Sequence, residues 1–387
     1  MVESRRASAH ASTVQVRVVT TPADAERFLD VPAVVYAGDR NWVPPLRSSI
    51  AKQLAPESPF FQYGRLQRFI AIAPDTERAI GRIVAAVNDR LVERQGQNVG
   101  IFGYFECVND FGVAQALWQA ACEWLRQQGM TSVRGPIDLS THNNCLFLVD
   151  GFDSPPMVMM PYNPPYYPQF IEQDGWTKAK DAYSYGLPLG PGLPSEFEKG
   201  YRIACKSGVT FRPIHLEGEA FEQDVTKMYH LFNTLFANNY SATPRTLEEF
   251  MEEAKDLRTL VDPDVFPIAE YKGEMVGFFM SLPDYNIPLK QVGGKLNWLG
   301  ILKFLWFRRQ IDQGRVLVIC ALPELRRKMV PLALVYLGMQ GCIKKGKPYK
   351  RSELGYVYED NMPSRKVVEA AGGKICKTYR IYEKSLV

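Results

Sequence analysis

An internal repeat constrains this chain more than any single motif does. The segment FIAIAPDTERAIGRIVAAVND, from Phe69, is echoed by FPIAEYKGEMVGFFMSLPD, from Phe266: an apolar run, a polar turn, then Gly and a second apolar run. Each predicts a β-hairpin, with Pro74-Asp75-Thr76 and Lys272-Gly273-Glu274 at the turns. A second pair is NPPYYPQFIEQDG, from Asn163, and NMPSRKVVEAAGG, from Asn361. Each predicts a helix opened near Asn, with Pro in its first turn, closed by Gly and followed by a strand, over 177–185 and 375–382. Ile70 precedes Ile268 by 198 residues, and Asn163 precedes Asn361 by the same 198. Independent segments sharing one offset argue for a tandem duplication, and 387 residues suffice for two domains. The expected division is a first domain over 14–186, a Gly/Pro-rich linker over 187–199 and a second domain over 200–387.

Between the echoes the halves diverge. The first half predicts a strand over 100–108 and a helix over about 112–128, whose Val113, Ala116, Leu117, Ala120, Ala121, Trp124 and Leu125 keep helical spacing. The second half predicts a strand over 315–321, a helix over 330–345 and a strand over 353–358 that runs into Glu359-Asp360-Asn361. The first half instead carries a connection over 137–162, about twenty residues longer than its counterpart. Connections of that length are usually functional or disordered.

Composition excludes several classes. With 46 Lys and Arg against 42 Asp and Glu, both signs interspersed, nothing suggests a nucleic-acid partner. The cysteines number seven, without a CxxC pair, which argues for a reducing compartment and against a disulfide framework. His10, His142, His215 and His230 lack metal-ligand spacing, so no metal is expected. Residues 1–13 are polar and read as a disordered tail; no run of about 18 apolar residues spans a bilayer. The expected location is cytoplasmic. LGILKFLWF, over 299–307, with Trp298, Trp306, Lys303, Arg308 and Arg309, reads either as a buried helix or as a peripheral contact with the inner face of the membrane.

The order hairpin, strand, helix, strand, Asn-led helix, strand resembles the GCN5-related N-acetyltransferase (GNAT) fold, here an α/β protein of two tandem GNAT-like domains. GYFECVND, RGPID, LVDGFDSPPMVMMPYNPPYY, DGWTKAKD and LGYVYEDNMPSRKVVEAAGGKICKTYRIYEK resemble a group of bacterial tandem acyltransferase-like proteins that includes bacterial ceramide synthase-type enzymes, over about residues 14–387. The resemblance implies CoA-dependent N-acylation: acyl-CoA as co-substrate, no tightly bound cofactor, and a primary amine as acceptor, a sphingoid-type lipid in the sharper version. A small soluble amine, or a non-catalytic acyl-CoA-binding module, are the alternatives.

The resemblance also implies positions. Acyl-CoA would lie in a splay between the fourth and fifth strands of a domain, with oxyanion donors near Ile319, Ala321 and Leu322, and with Asn361 leading the next helix. The pyrophosphate would meet orphan amides at a helix start, in a loop R/Q-x-x-G-x-G/A. The matching residues are Arg326-Arg327-Lys328-Met329-Val330-Pro331, where both glycines are replaced. Three cations still favour this domain over the first, where Asn109-Asp110 and Glu106 would repel an anion and no phosphate loop stands; a solvated turn is the plain alternative. The tyrosine that usually protonates the thiolate is replaced by Phe170 and Val368, leaving Tyr166 and Tyr167 as substitutes or as packing. His142 is the candidate base by its ordinary pKa. Asp138, Asn143, Asn144, Asn163 and Asp360 are candidates for holding the acceptor. Glu106 and Glu359 are candidate proton carriers; the plain alternative for Glu359 and Asp360 is that they favour the start of the Asn361 helix through its dipole. Cys107, Cys122, Cys145 and Cys320 sit in apolar contexts typical of inert thiols.

Overall fold

In the computed structural model, residues 14–387 are described, except 75, 191, 237–238, 296 and 345–348. The expected tail over 1–13 lies outside the described residues. The first half runs β1 (Gln15–Val18), α1 (Pro22–Val35), α2 (Arg47–Gln53), β2 (Gly64–Ile72), β3 (Ala79–Asn88), α3 (Asp89–Gln95), β4 (Val99–Cys107), α4 (Phe111–Gln127), β5 (Ser132–Gly135), β6 (Phe147–Asp150), α5 (Tyr166–Gln173) and β7 (Thr177–Pro188). The second runs α6 (Ser195–Lys206), β8 (Val209–Pro213), α7 (Gly218–Phe236), α8 (Leu247–Leu257), β9 (Pro267–Tyr271), β10 (Glu274–Pro283), α9 (Asn286–Val292), α10 (Trp298–Phe307), β11 (Gln313–Ala321), α11 (Val330–Lys344), β12 (Arg351–Tyr358), α12 (Met362–Ala370) and β13 (Lys374–Ser385).

Both hairpins form where the repeat predicts them, as β2–β3 and β9–β10. Lys272 and Gly273 turn the second with positive φ angles of 55° and 82°, which suit the twist of a two-residue hairpin. Helix α4 begins under an Asp110 cap that accepts from the amides of Gly112 and Val113, and it buries Val113, Leu117, Ala121 and Leu125 along one stripe. The Asn-led echoes differ. Asn361 caps α12 by accepting from the Ser364 amide. Asn163, by contrast, caps nothing: it is buried, accepts from the Leu148 amide at 2.6 Å and donates to the Leu148 carbonyl at 3.1 Å, fastening β6. Helix α5 therefore starts only at Tyr166.

The strands join one sheet in the order β1-β2-β3-β4-β5-β13-β7-β12-β11-β10-β9-β8, with β6 also on β13. The last strand of each half has crossed over. Strand β13 pairs antiparallel with β5 of the first half, β7 pairs antiparallel with β12 of the second, and the two pair with each other along their lengths. Neither 14–186 nor 200–387 thus completes its own sheet. The expected linker is also shorter than 187–199, because β7 continues to Pro188 and α6 starts at Ser195.

Charged pairs close this seam. Arg380 on β13 grips Asp181 on β7 through two contacts of 2.7 and 3.1 Å. Beneath them, Lys377 on β13 meets Glu353 on β12 at 3.2 Å, and Ser184 on β7 donates to the same carboxylate at 2.6 Å, all three buried. Breaking a buried pair from one side leaves a charge without its partner. Lys377→Ala is expected to destabilise the protein by about 3–5 kcal/mol, read as a lower urea midpoint, and adding Glu353→Ala to recover part of that loss.

Candidate active site

A cavity of about 550 Å³ opens where β11 and β12 separate. The strands pair in parallel only from Gln313↔Arg351 to Val316↔Leu354. On its other side, β11 slips register against β10 between Met280↔Val318 and Ser281↔Val316, so that Leu317 bulges out of the ladder. Beyond this point the two strands diverge, and Leu317, Ile319 and Ala321 face Gly355, Tyr356 and Tyr358 across the gap. The starts of α11 and α12 close one end with Pro331, Leu332, Asn361 and Ser364. The other end is an apolar arm beneath α7 and α8, lined by Phe232, Phe250 and Leu257 among others.

The first half has the same strands, but among the described residues the corresponding gap is filled. Strand β4 pairs with β5 only through Ile101↔Arg134 and then bulges at Tyr104, whose φ is 49°. The chain after β5 fills the gap: the Ile137 amide donates to the Phe102 carbonyl at 2.7 Å, and the Asp138 carboxylate accepts from the Tyr104 amide at 2.6 Å. A Cβ at Gly103 would stand 2.4 Å from the Ile137 carbonyl oxygen. Burial pushes the Asp138 carboxyl up to about 6. Asp138 is thus a plug in the first half, and the structure does not bring it to the cavity.

Part of the long connection does reach the cavity. Thr141, His142, Asn143 and Met159 line it, although they belong to the first half. His142 is mostly buried, its ring 6.3 Å from that of Phe232, and its Nε2 lies 2.8 Å from the Thr243 carbonyl oxygen. A carbonyl only accepts, so Nε2 carries the hydrogen and Nδ1 keeps the lone pair. Burial, helped by the Arg245 guanidinium, lowers its pKa to about 4, which holds the imidazole neutral near pH 7. Asn144 stays on the loop outside, its carbonyl accepting from the Asp138 amide.

Other expected residues are brought elsewhere. Glu359 pairs with Lys178 at 2.8 Å and Asp360 with Lys180 at 2.5 Å, so both carboxylates brace β7 rather than line the cavity. Tyr166 donates to the Cys107 carbonyl at 2.8 Å, and Tyr167 donates to Glu106 at 2.8 Å while accepting from the Cys107 amide at 2.7 Å. These tyrosines and Glu106 form a closed cluster at the end of β4, outside the cavity. Asn163 clamps β6, as described above. Of the three cations, Arg326 lines the cavity, Arg327 does not, and Lys328 turns away to the Ser207 carbonyl and the Tyr271 ring. The Leu322 amide is already taken by the Val276 carbonyl. At the lost first glycine, Met329 adopts the left-handed turn itself, with φ of 59°, so the backbone path of a glycine loop is retained.

Sequence reading missed Arg315, Tyr356 and Tyr358. Arg315 is buried and lines the cavity; its guanidinium donates to the carbonyls of Val158, Met159 and Gly355 at 2.7–2.8 Å. It thereby ties the long connection to β12 without a hydrogen-bonded carboxylate. Tyr356 Oη lies 2.9 Å from Cys145 Sγ, and its ring packs edge-on to that of Tyr358. The only signal was the YVY alternation of β12, which a buried strand shares.

The comparisons with known proteins agree with this architecture. The sequence is 32% identical over 377 residues to the bacterial ceramide synthase of Caulobacter vibrioides, spanning 95% of this chain and 96% of that protein. The chain belongs to this family of bacterial ceramide synthase-type, tandem GNAT-fold proteins. Protein YghO of Escherichia coli K12 is 28% identical over 378 residues, covering 96% and 95% of the two chains. No protein-family model matches. Among solved structures, a tandem GNAT protein from the clavulanic acid biosynthesis pathway superposes with a TM-score of 0.58 at 13% identity, covering 97% of this chain and 99% of that one. A GCN5-related N-acetyltransferase from Sphaerobacter thermophilus gives 0.54 at 15% identity, over 97% and 96%. These two show the fold: a tandem GNAT architecture over nearly the whole chain.

Two buried groups, Glu106 and His142, titrate in opposite senses. Burial pushes Glu106 up from 4.5 to about 7, against the opposing pull of Arg82 and hydrogen bonds from Tyr167 and Tyr36. A carboxyl raised on folding stabilises fully below its unfolded pKa, and that contribution is lost as the pH rises through about 7. Glu106→Gln is expected to remove the part of the decline in urea midpoint that runs from about pH 4.5 to about 7. The depressed His142 works the other way: its contribution is complete above 6.5 and is lost as the pH falls toward about 4. His142→Gln is expected to flatten the acid side of the same profile.

Proposed function

We propose that the protein is an acyl-CoA-dependent N-acyltransferase, moving a long acyl chain from its CoA thioester to the primary amine of a lipid acceptor. One observation carries the reading: the β11–β12 splay opens into a mainly apolar cavity of about 550 Å³, far larger than an acetyl group fills. The name of the Caulobacter relative agrees with a lipid amine as acceptor. Burying even three methylenes beyond acetyl contributes roughly 2.4 kcal/mol, or roughly fifty-fold in affinity.

The steps follow from the cavity's lining. The thioester lies at the Leu317 bulge, where amides of β11 that have lost their β12 partner donate to the carbonyl oxygen and to the oxyanion that forms there. The acyl tail runs under α7 and α8, and Arg326 with the start of α11 meets the CoA phosphates. The acceptor nitrogen, as a free amine, attacks the carbonyl carbon. Once its lone pair is committed to the new C–N bond its proton becomes strongly acidic, so that a weak base suffices. His142 Nδ1 takes that proton. As the C–S bond breaks, the Tyr356 hydroxyl, opposite the bulge on β12, gives its proton to the leaving thiolate. Asn143 faces the same end of the cavity and holds the acceptor's polar head.

Calorimetry with acetyl-CoA and palmitoyl-CoA tests the donor. Palmitoyl-CoA is expected to bind at least roughly tenfold more tightly, and Arg326→Ala to weaken both. Absence of binding by either to folded protein removes the reading. Turnover, followed as free thiol released in the presence of a long-chain amine, is expected to fall roughly 10²-fold or more in His142→Ala and in Tyr356→Phe, with thioester affinity little changed. Binding without amine-dependent thiol release would instead identify a carrier of acyl-CoA, the reading that the replaced loop glycines and the missing family tyrosine favour.

A further inference from the structure

We propose that α9 and α10 form a docking surface for an anionic lipid bilayer, with α10 lying flat in the headgroup layer. Helix α10 fits neither of the usual patterns of a helix in a folded protein. It is apolar nearly all round yet stands at the surface: Trp298 is 70% exposed, Leu302 57%, Leu305 52% and Trp306 64%. Its contact with the body is narrow, made mainly by buried Gly300 and by Phe304, whose ring stacks on Tyr285 at 5.9 Å. An apolar face this wide, left toward water, marks an interaction site.

Charge selects the occupant. Residues 285–311 hold five cations, Lys290, Lys295, Lys303, Arg308 and Arg309, and no Asp or Glu, although the whole chain is nearly balanced at 46 against 42. All five are exposed, and among the described residues none forms an ion pair with a carboxylate. A second copy docked about a twofold axis would bring these cations against each other, because such an interface pairs a patch with itself. Anionic headgroups offer the opposite: negative charge for the cations, an acyl boundary for the leucines, and the depth at which indole rings settle.

The surface also adjoins the cavity. Tyr285, under Phe304, donates its hydroxyl to the Leu260 carbonyl at 3.0 Å, and Leu257 and Val261 on either side line the cavity. One layer of side chains separates the docking face from the apolar arm. The inference stands apart from the proposed reaction, since it rests on the exposed helix and its charge.

Co-sedimentation with vesicles tests it, comparing phosphatidylcholine alone with phosphatidylcholine mixed with phosphatidylglycerol. The full chain is expected to pellet with the mixed vesicles, less so as salt rises, and poorly with phosphatidylcholine alone. The variant carrying Trp298→Ser, Leu302→Ser and Trp306→Ser, all at exposed positions, is expected to bind at least tenfold more weakly at an unchanged melting temperature. Lys303→Gln with Arg308→Gln and Arg309→Gln is expected to lose the preference for phosphatidylglycerol. Failure of the full chain to bind mixed vesicles, or equal binding by the serine variant, overturns the proposal. So does a wild-type dimer that the serine substitutions convert to monomer, which would make a second copy the occupant. Palmitoyl-CoA binding by the serine variant, measured in parallel, reports on the reaction separately.

Discussion

Everything in this molecule hangs on the exchange of terminal strands at the centre of its sheet. A GNAT-like half that ends at its Asn-led helix and one further strand leaves the edge of its fifth strand unpaired, and such an edge is a liability in water. Here each half supplies the strand the other lacks, so β13 covers β5 and β7 covers β12. The seam then buries Lys377, Glu353 and Ser184, polar groups tolerable only because they satisfy one another. Duplication and exchange are thus one structural solution, in which two half-sheets become a single continuous one.

The exchange carries a functional consequence. It sets the two splays in one rigid sheet and lets the long connection of the first half reach across to the second. Arg315 is the fastening: a buried guanidinium on β11 whose hydrogen bonds go to carbonyls at Val158 and Met159 on one side and Gly355 on the other. Its charge is costly to bury, and its position beside the cavity means that an anionic or polarised group there would find it ready. The same connection closes the first splay with Asp138 and furnishes the second with His142. One insertion therefore closes one half and equips the other.

The turn over 326–331 illustrates how a pattern can be lost while its geometry persists. Both family glycines are absent at Met329 and Pro331, yet Met329 holds the left-handed turn that a glycine would make. What the loop has lost is an amide donor at Pro331 and the ease of that turn. What it keeps is the helix start, aimed at the cavity, with Arg326 beside it.

The sequence by itself determined the elements and their duplication: hairpins, the α4 stripe, the Asn361 cap and the long connection were legible because they depend on neighbours within a few turns of chain. It also singled out His142 as the histidine of that connection. Only the tertiary structure decided the rest. Glu359 and Asp360 sit beside the cavity in sequence but are drawn to Lys178 and Lys180 across the seam. Asn163 and Asn361 occupy the same place in the repeat, yet one clamps a strand and the other caps a helix. Tyr356 and Tyr358 look like any buried strand residues until the strands part around them. Local pattern fixes what a segment becomes; which of two like halves stays open depends on partners more than a hundred residues away, such as Arg315 and Val158, whose contact no local spacing records.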